Sequence, residues 1–398
     1  MFKIAHFATD QKFIETAVDI FEDAYPNQNE FYIISPKPWK FIKAKNIYTH
    51  LTLKELLILL ICNRKKIKEY DLVVLHGLSS IHLCMAVICK QKYVWLGWGY
   101  DYYERGNFGC LLSNPIYLPM TLQVMGSYIN PKRYKFEVPG YFKKVLMYCI
   151  NSKLLYRLAM RNMEVFSPVL PQEYKLVENR FGLGCRTAYY PWNYGVLEKH
   201  FIRGIVTDNI DTADAILLGN SATESNNHID ALELLEKLGV EKTIYLPLSY
   251  GNQKYADAVK EYIKTSPKMS INCQVLDYFM PLDMYNETMN RCGFVIMNHV
   301  RQQALGNIVA LLYRGAKVFL REESVLYYYL KSEGLVIFSI QELEHAPYLL
   351  DSHLDNCNIE KNRRILECSW SSSIARKKTI DLVTAVIESK NSYFEYNQ

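Results

Sequence analysis

The sequence predicts an α/β protein with two domains, each built around a mostly parallel sheet. Three observations predict this class. The chain has 398 residues, more than the roughly 100 to 200 residues of one typical domain. Short apolar runs alternate with amphipathic helical stretches along the chain, a pattern typical of parallel α/β domains. A composition of 49% hydrophobic and 22% charged residues is that of a globular protein and excludes fibrous and disordered classes.

The first predicted domain spans residues 1–200. Helical periodicity predicts helices at 52–62 and 81–89. Buried strands are predicted where short apolar runs end in turn residues, at 2–7, 31–34, 71–75, 93–96 and 164–167.

The second predicted domain spans residues 201–398, after a linker at about 195–212. Strands are predicted at 215–218, 242–246, 270–276, 293–297, 316–320 and 336–338. Helices are predicted at 228–238, 255–264, 283–291 and 306–313. Because each strand leads into a loop and usually a helix, several helix N-termini should collect at one edge of this sheet.

Charge and apolar content limit the cellular setting. Residues 1–203 carry 27 lysines and arginines against 16 acids, whereas residues 204–398 carry 19 against 25. The longest apolar run, Leu56 to Cys62, is far shorter than the ~20 residues of a membrane-spanning helix. The N-terminal sequence lacks the pattern of an export signal, so we expect a cytoplasmic protein. The ten cysteines show no zinc-ligand spacing, and we expect no metal site.

A basic and aromatic stretch at 132–161 suggests contact with an anionic membrane surface. Eight basic residues and one acid occur there, among apolar residues at helical spacing. Phe142, Tyr148 and Tyr156 would add burial at the interface. An ordinary amphipathic helix that packs on the core explains the spacing equally well. The residues predicted to face the membrane are Lys143, Lys144, Lys153, Arg157 and Arg161.

Three loops of the second domain are predicted to bind an organic diphosphate. Each follows a strand and carries glycine, amide, hydroxyl or guanidinium groups that suit phosphate and sugar oxygens. Arg301 supplies a fixed positive charge. The predicted donor-binding residues are Gly219, Asn220, Ser221, Asn226, His228, Ser249, Tyr250, Gly251, Arg301, Gln302, Gln303, Gly306 and Asn307.

Four segments resemble one enzyme family. They are WGYDYYE (98–104), ILLGNSATESNNHIDAL (216–232), LPLSYGNQKYADAVK (246–260) and RQQALGNIVALLYRGAKVFL (301–320). They resemble the TDP-N-acetylfucosamine:lipid II N-acetylfucosaminyltransferases of enterobacterial common antigen synthesis, glycosyltransferase family 56. The resemblance runs through 213–345 and continues more loosely back through His76 and Trp98.

The resemblance implies a GT-B architecture of two facing Rossmann-like domains. Residues 201–398 would bind a dTDP-linked 4-acetamido-4,6-dideoxyhexose, and residues 1–200 a polyprenyl-diphosphate-linked glycan at the membrane. The enzyme would act in enterobacterial common antigen or O-antigen synthesis, on the cytoplasmic side of the bacterial inner membrane. No cofactor is implied.

The predicted reaction needs a cation for the leaving diphosphate and a proton acceptor for the attacking hydroxyl. Because the sequence has no Asp-x-Asp motif, Arg301 and helix N-termini would replace a metal ion. Asp101 is the first candidate for the proton acceptor, ahead of Glu104 and His76. Asp101 could instead cap a helix that starts at Tyr102, and His76 could merely satisfy a strand end.

Two other functions remain compatible with the sequence. One is a non-catalytic module of the same fold that binds a nucleotide-sugar or a membrane surface. The other is a nucleic-acid-binding protein that uses the basic half, for which affinity would fall steeply with salt. The order and spacing of the donor-side segments favour the enzyme without a nucleic-acid partner.

Overall fold

The computed structural model describes residues 2–9, 13–35, 48–61, 64–103, 116–128, 153–185, 187–204 and 210–395. The chain divides into two compact units. Unit 1 comprises Met1–Ser113, Glu137–Val196 and Ser372–Gln398. Unit 2 comprises Asn114–Phe136 and Leu197–Ser371.

Each unit contains a six-stranded parallel sheet. The strands of unit 1 are β1 (Ile4–Ala8), β2 (Asn29–Ile34), β3 (Tyr48–Leu51), β4 (Leu72–His76), β5 (Tyr93–Leu96) and β6 (Met163–Ser167). Those of unit 2 are β7 (Ala215–Leu218), β8 (Ile244–Pro247), β9 (Cys273–Leu276), β10 (Cys292–Met297), β11 (Lys317–Leu320) and β12 (Phe338–Ser339).

Helices connect most of these strands. Up to residue 196 the described α-helices are α1 (Ile14–Ala24), α2 (Leu53–Ile61), α3 (Arg64–Lys68), α4 (Ser80–Ile88), α5 (Tyr100–Tyr103), α6 (Pro119–Tyr128), α7 (Lys153–Met160) and α8 (Pro171–Phe181). The later ones are α9 (His228–Lys237), α10 (Gln253–Thr265), α11 (Pro267–Asn272), α12 (Leu282–Asn290), α13 (Leu305–Arg314), α14 (Val325–Ser332), α15 (Ile340–His345), α16 (Asn356–Trp370) and α17 (Ser372–Glu395).

Both sheets have the same topology. The order β3-β2-β1-β4-β5-β6 in unit 1 is repeated as β9-β8-β7-β10-β11-β12 in unit 2. This is the doubly wound order of Rossmann-like sheets, in which the chain reverses direction across the sheet beside the first strand. The reversal lies between β1 and β4 in unit 1 and between β7 and β10 in unit 2. Ligands of such sheets bind beyond the carboxyl ends of the strands at this point.

The central strands are mostly apolar because helices cover both faces of each sheet, and the exceptions are His6 in β1 and His76 in β4. In unit 1, one face packs on α1 and α17, and the other packs on α2, α4, α7 and α8. Every residue of β4 and of β7 is buried. Strand β7 has the predicted boundaries, and most other strands lie within a few residues of their predicted positions.

The units differ from the predicted domains 1–200 and 201–398 at residues 197–200, which belong to unit 2, and in two longer segments. Helix α17 belongs to unit 1 because its apolar side chains pack with α1 in one core cluster. Helix α6 belongs to unit 2, where Asp230 of α9 accepts hydrogen bonds from the backbone of Met120 (2.9 Å) and Thr121 (3.0 Å). These contacts join residues that are far apart in sequence, so local patterns did not indicate them.

The structure corrects the start of one predicted strand and adds one strand that was not predicted. Strand β9 begins at Cys273 rather than at residue 270, because Ser266 caps the short helix α11 and Pro267 occupies its first turn. The sequence reasoning missed β3, a four-residue edge strand that pairs with β2.

Candidate functional site

The predicted donor loops of unit 2 gather at the carboxyl edge of its sheet. They follow the strands β7, β8 and β10, and the chain reversal lies between β7 and β10. We refer to residues 219–227, 248–252 and 298–304 as the β7 loop, the β8 loop and the β10 loop. The structure brings these three loops together through a network of hydrogen bonds.

Asn226 organises the β7 loop from the inside. Its side chain is buried, and its amide nitrogen donates to the carbonyl oxygens of Ser221 (2.9 Å) and Thr223 (3.0 Å). Its carbonyl oxygen accepts the backbone N–H of Asn220 at 3.0 Å and also contacts Nε2 of His299 at 2.7 Å. Because the Asn226 oxygen is an acceptor, the proton of the His299 ring lies on Nε2. Asn226 therefore both folds its own loop and binds the β10 loop.

Further hydrogen bonds join the β7 and β10 loops. Gln303 donates to Oδ1 of Asn220 at 2.9 Å and accepts from the Ser225 hydroxyl at 2.7 Å. Asn227 and Asn298 bond reciprocally, each side-chain amide donating to the other's backbone carbonyl at 3.0 and 2.9 Å. The two loops thus form one preorganised surface.

The β8 loop joins this surface through close backbone contact. The amide nitrogen of Asn220 donates to the Tyr250 hydroxyl at 3.1 Å, and the backbone N–H of Ala222 donates to the Tyr250 carbonyl at 2.7 Å. Gly251 has a φ of 123°, and a Cβ there would lie 2.5 Å from the Ala222 carbonyl. Glycine is therefore required at this contact. Tyr250 is 51% exposed.

Arg301 and Gln302 are buried within the β10 loop. Arg301 donates from Nη1 to the carbonyl oxygen of Gln302 at 2.9 Å, which fixes the guanidinium against the turn. This turn leads into α13, a helix of ten residues whose N-terminus carries positive partial charge. In the first turn of α13, Gly306 packs on the Phe201 ring, and Asn307 donates to the Tyr285 hydroxyl at 2.9 Å.

Two buried histidines lie behind the loops. Burial lowers the pKa of His228 to about 3 and holds the pKa of His299 well below its usual range. Both rings are therefore neutral at physiological pH, and the positive potential of this edge comes from Arg301 and backbone amides. The His228 ring lies directly behind Gly219, where a Cβ would be 2.4 Å from Nε2. His228 thus forms a wall of the loop rather than an exposed ligand.

Of the predicted donor residues, Ser249 is partly exposed on the β8 loop, and the others lie as described above. The sequence reasoning missed Asn227, Asn298 and His299, which also link the loops. The adjacent Asn298 and His299 directly follow the buried strand β10 and lie just before the predicted segment that begins at Arg301. This polar pair after a buried strand was the signal that could have indicated them.

In unit 1, Asp101 is enclosed by donors. Its Oδ2 accepts from the Trp95 indole N–H at 2.8 Å and from the Leu78 backbone at 2.9 Å, and its Oδ1 accepts from the Trp98 backbone at 2.9 Å. Burial raises the pKa of this carboxyl group, although the hydrogen bonds oppose the shift. Asp101 lies inside α5, so it does not cap a helix that starts at Tyr102. Instead it joins the segments that follow β4 and β5.

His76 ends β4 and is buried in a hydrogen-bond network. Its Nε2 lies 3.0 Å from Nδ1 of His6, and its Nδ1 lies 2.7 Å from the Tyr194 hydroxyl. The third predicted proton acceptor, Glu104, lies outside the described residues.

The predicted membrane-facing residues are described only in part. Lys143 and Lys144 lie outside the described residues, and for Lys153 only the backbone is described. Arg157 and Arg161 are exposed, as is Leu154 (65%). The expectation for Tyr156 is wrong: its ring is buried in the core, and its hydroxyl donates to the Gly182 carbonyl at 2.9 Å.

No group of three or more His, Cys, Asp or Glu side chains in the described ranges could hold a metal ion. No helix there is both long and apolar enough to span a bilayer.

Comparison with known proteins identifies the family of the loop-bearing segment. The sequence model described as 4-alpha-L-fucosyltransferase glycosyl transferase group 56 matches residues 186–363. This range contains the β7, β8 and β10 loops. The resemblance to glycosyltransferase family 56 is therefore confirmed over this segment.

The fold is similar to that of solved glycosyltransferases. HepE of Anabaena in complex with UDP and glucose has a TM-score of 0.63 at 12% identity, with 97% of this chain and 100% of that chain covered. A glycosyltransferase of Rickettsia africae has a TM-score of 0.62 at 12% identity, covering 97% and 99%. The α,α-trehalose 6-phosphate synthase of Burkholderia multivorans has a TM-score of 0.63 at 10% identity, covering 100% and 98%. The predicted GT-B fold is confirmed, and the family match over residues 186–363 supports a glycosyltransferase.

Proposed function

We propose that this glycosyltransferase moves a 4-acetamido-4,6-dideoxyhexose from a dTDP-sugar to a polyprenyl-diphosphate-linked glycan in bacterial surface polysaccharide synthesis. The observation that carries the proposal is the joined surface of the β7, β8 and β10 loops within the segment that matches family 56. The resemblance of 213–345 to the N-acetylfucosaminyltransferases supports this particular donor and acceptor.

The leaving diphosphate is stabilised in this proposal by fixed groups of unit 2. Negative charge develops on the diphosphate as the glycosidic bond breaks, and preorganised donors stabilise that charge most effectively in a water-poor site. Arg301 and the N-terminus of α13 provide positive potential in this proposal. The reaction therefore proceeds without a metal ion.

The attacking hydroxyl requires a proton acceptor in unit 1. Protein groups already occupy the oxygens of Asp101 and both ring nitrogens of His76. We assign these two side chains positioning roles and propose Glu104 as the proton acceptor. Replacing Glu104 with Gln should then lower turnover by roughly 10²- to 10⁴-fold without weakening donor binding. Unchanged turnover of that variant would contradict the assignment.

Peripheral membrane contact through unit 1 completes the proposal, because the acceptor is a lipid. The exposed Leu154, Arg157 and Arg161 of the segment around α7 support it. Each basic side chain close to an anionic surface contributes about 1 kcal/mol, and salt screens this attraction. Vesicle sedimentation tests it with a variant in which Lys143, Lys144, Lys153 and Arg157 are changed to Glu. The wild type should pellet with anionic vesicles at low salt, and equal pelleting of the variant would contradict membrane contact by this segment.

One experiment tests the donor, the acceptor and the metal requirement together. The protein is incubated with dTDP- and UDP-sugars, each with and without a polyprenyl-diphosphate-linked saccharide, and nucleoside diphosphate release is measured. We expect acceptor-dependent release of dTDP from the dTDP-linked acetamido-dideoxyhexose, unchanged in excess EDTA. Loss of release in EDTA with rescue by Mg²⁺ or Mn²⁺ would contradict metal independence. Nucleotide binding without release would favour the alternative, a non-catalytic nucleotide-sugar-binding module.

A further inference from the structure

The reversal point of the unit 1 sheet carries a pair of buried histidines. His6 lies in β1 and His76 ends β4, the two strands that flank the reversal. In the parallel register, His6 is opposite Val74 and Ala8 is opposite His76. Since alternate residues of a strand share a face, both histidines lie on the sheet face covered by α1 and α17. Ligands of doubly wound sheets bind beyond this position.

The hydrogen-bond direction at His6 is set by Asn29. The amide nitrogen of Asn29 donates to Oε1 of Glu22 and to the Tyr25 carbonyl, each at 2.8 Å. Both partners are acceptors, so the orientation of the Asn29 amide is fixed and its oxygen faces Nε2 of His6 at 3.2 Å. That oxygen can only accept, and therefore the His6 proton lies on Nε2.

The direction of hydrogen-bond donation is fixed in the same way from His6 through His76 to Tyr194. Burial lowers the pKa of His6 to about 3 and that of His76 well below its usual range, so each neutral ring carries one proton. With its proton on Nε2, His6 accepts at Nδ1 from Nε2–H of His76. His76 must then accept at Nδ1, and its partner, the Tyr194 hydroxyl, donates. Burial raises the pKa of Tyr194 well above its usual range, so this hydroxyl keeps its proton.

The result is an oriented phenol group. The Tyr194 hydroxyl donates its proton to His76, and the chain of hydrogen bonds ends at the Glu22 carboxylate. This carboxylate polarises every hydrogen bond of the chain in the same direction. The Tyr194 oxygen is therefore left with acceptor capacity only. A substrate group that meets this oxygen must donate a proton, as a sugar hydroxyl does.

Aromatic rings surround Tyr194 at the carboxyl edge of the sheet. The ring centroid of Trp98 lies 5.8 Å from that of Tyr194, and the centroid of Phe13 also lies 5.8 Å from that of Tyr194. Tyr100 lies 5.9 Å from Trp98. The exposed fractions of Phe13 and Tyr100 are 45% and 39%, so apolar ring surface faces solvent here. Aromatic surface beside one fixed polar atom suits a ligand with both C–H faces and hydroxyl groups, such as a pyranose.

We propose that this aromatic cluster, comprising Phe13, Trp98, Tyr100 and Tyr194, binds one pyranose ring of the acceptor glycan, with the Tyr194 oxygen accepting a hydrogen bond from one hydroxyl of that ring. The inference rests on the proposed function because it assigns the ring to the acceptor. His76 and His6 act as positioning residues that hold the phenol in this orientation.

The test uses binding of simple glycosides rather than transfer. Octyl glucoside, octyl N-acetylglucosaminide and the monodeoxy analogues of each are titrated into wild type, Tyr194→Phe and a control, Tyr190→Phe. Tyr190 packs against the same core cluster and lies outside the relay. Tyr194→Phe should weaken binding of at least one parent glycoside by roughly five-fold, the effect of one neutral hydrogen bond. Wild type and Tyr194→Phe should bind one particular monodeoxy analogue equally, because it lacks the contacted hydroxyl.

A purely structural role gives a different pattern. The inference would be overturned if Tyr194→Phe lowered the affinity for every analogue equally, or if it did not lower the affinity for the parent glycosides. It would also be overturned if the wild type bound neither glycoside. His76→Gln should weaken binding of the same parent glycoside. It should also reduce the preference for that parent over its monodeoxy analogue, as Tyr194→Phe does. Nucleoside diphosphate release by the wild type with the lipid-linked acceptor is measured separately. Release without glycoside binding rejects this inference alone, whereas binding without release rejects the proposed function.

Discussion

The side chain of Asn226 accepts a hydrogen bond from Nε2 of His299 at 2.7 Å and so joins the β7 and β10 loops across the reversal point of the unit 2 sheet. Both side chains are buried, and the Asn226 oxygen also accepts the Asn220 backbone. Because buried polar groups are costly to leave unpaired, this bond resists separation of the loops. The surface that we propose for donor binding is therefore held together by the protein's own hydrogen bonds.

Close packing behind the β7 loop predicts that Gly219→Ala weakens nucleotide binding by at least ten-fold. The new Cβ would lie 2.4 Å from Nε2 of His228 and 2.9 Å from Oδ1 of Asn226, so the loop must shift. Gly239→Ala is the matched control: its φ is 70° against 69° at Gly219, but nothing lies within 4 Å of its Cβ position. Alanine at a positive φ should lower the free energy of unfolding by about 1 kcal/mol in both variants. Calorimetric titration with dTDP and UDP should separate them, and equal affinities would contradict the role of the loop.

Arg301 is predicted to act on the leaving diphosphate. Arg301→Ala should lower turnover by more than ten-fold, since a charged hydrogen bond contributes about 1.5 to 3 kcal/mol. The exposed Arg364, on helix α16, provides the control Arg364→Ala, which should retain full turnover. Steady-state assays and thermal unfolding of both variants test this prediction. Normal turnover and normal dTDP affinity of Arg301→Ala would refute the diphosphate assignment.

Asp101→Asn distinguishes a positioning role from proton acceptance. The asparagine must present its NH₂ group to at least one N–H donor that now bonds to a carboxylate oxygen. We expect the free energy of unfolding to fall by about 2 to 4 kcal/mol. Asp23→Asn changes an exposed carboxylate of the same unit and should leave stability within about 0.5 kcal/mol. A large loss of turnover with unchanged stability would identify Asp101 as the proton acceptor after all.

Because of Glu173, we expect the free energy of unfolding of unit 1 to depend on pH. Burial raises its pKa to about 7, although the Tyr102 hydroxyl and the Leu170 backbone donate to it at 2.8 Å. Its unfolded-state pKa is near 4.5. The protonated form is therefore favoured in the folded state, and this contribution is complete below pH 4.5 and lost as pH rises through about 7.

The loss across this range is on the order of 3 kcal/mol. Glu173→Gln keeps an acceptor for both donors and cannot ionise. Denaturant unfolding between pH 5 and 7.5 should show a smaller decline for this variant than for the wild type. Identical pH profiles would mean that Glu173 does not carry the effect.

The sequence predicted those features that depend on local pattern. The apolar run at 215–218 is reproduced residue for residue as β7, because a central parallel strand is buried on both faces. Gly219, Asn220 and Gln303 were expected to share one edge because parallel strands bring their following loops together. The short edge strand β3 lacks such a run, since its sequence YTHL contains two polar residues.

Features that depend on long-range contacts were not predicted. The return of α17 to unit 1 depends on packing with α1, which is more than 300 residues earlier in the chain. Asp101 was a plausible base in sequence because nothing local shows that Trp95 and Leu78 donate to it. The pairing of His6 with His76 likewise requires the register of β1 with β4.

The activity that we propose is glycosyl transfer from a dTDP-sugar to a lipid-linked glycan. The most direct measurement is the mass of a polyprenyl-diphosphate-linked saccharide after incubation with the protein and dTDP-4-acetamido-4,6-dideoxyhexose. We predict that the acceptor gains one acetamido-dideoxyhexose residue in the presence of the wild type, and far more slowly in the presence of Arg301→Ala. An acceptor of unchanged mass, alongside an intact dTDP-sugar that the protein nevertheless binds, would contradict the account.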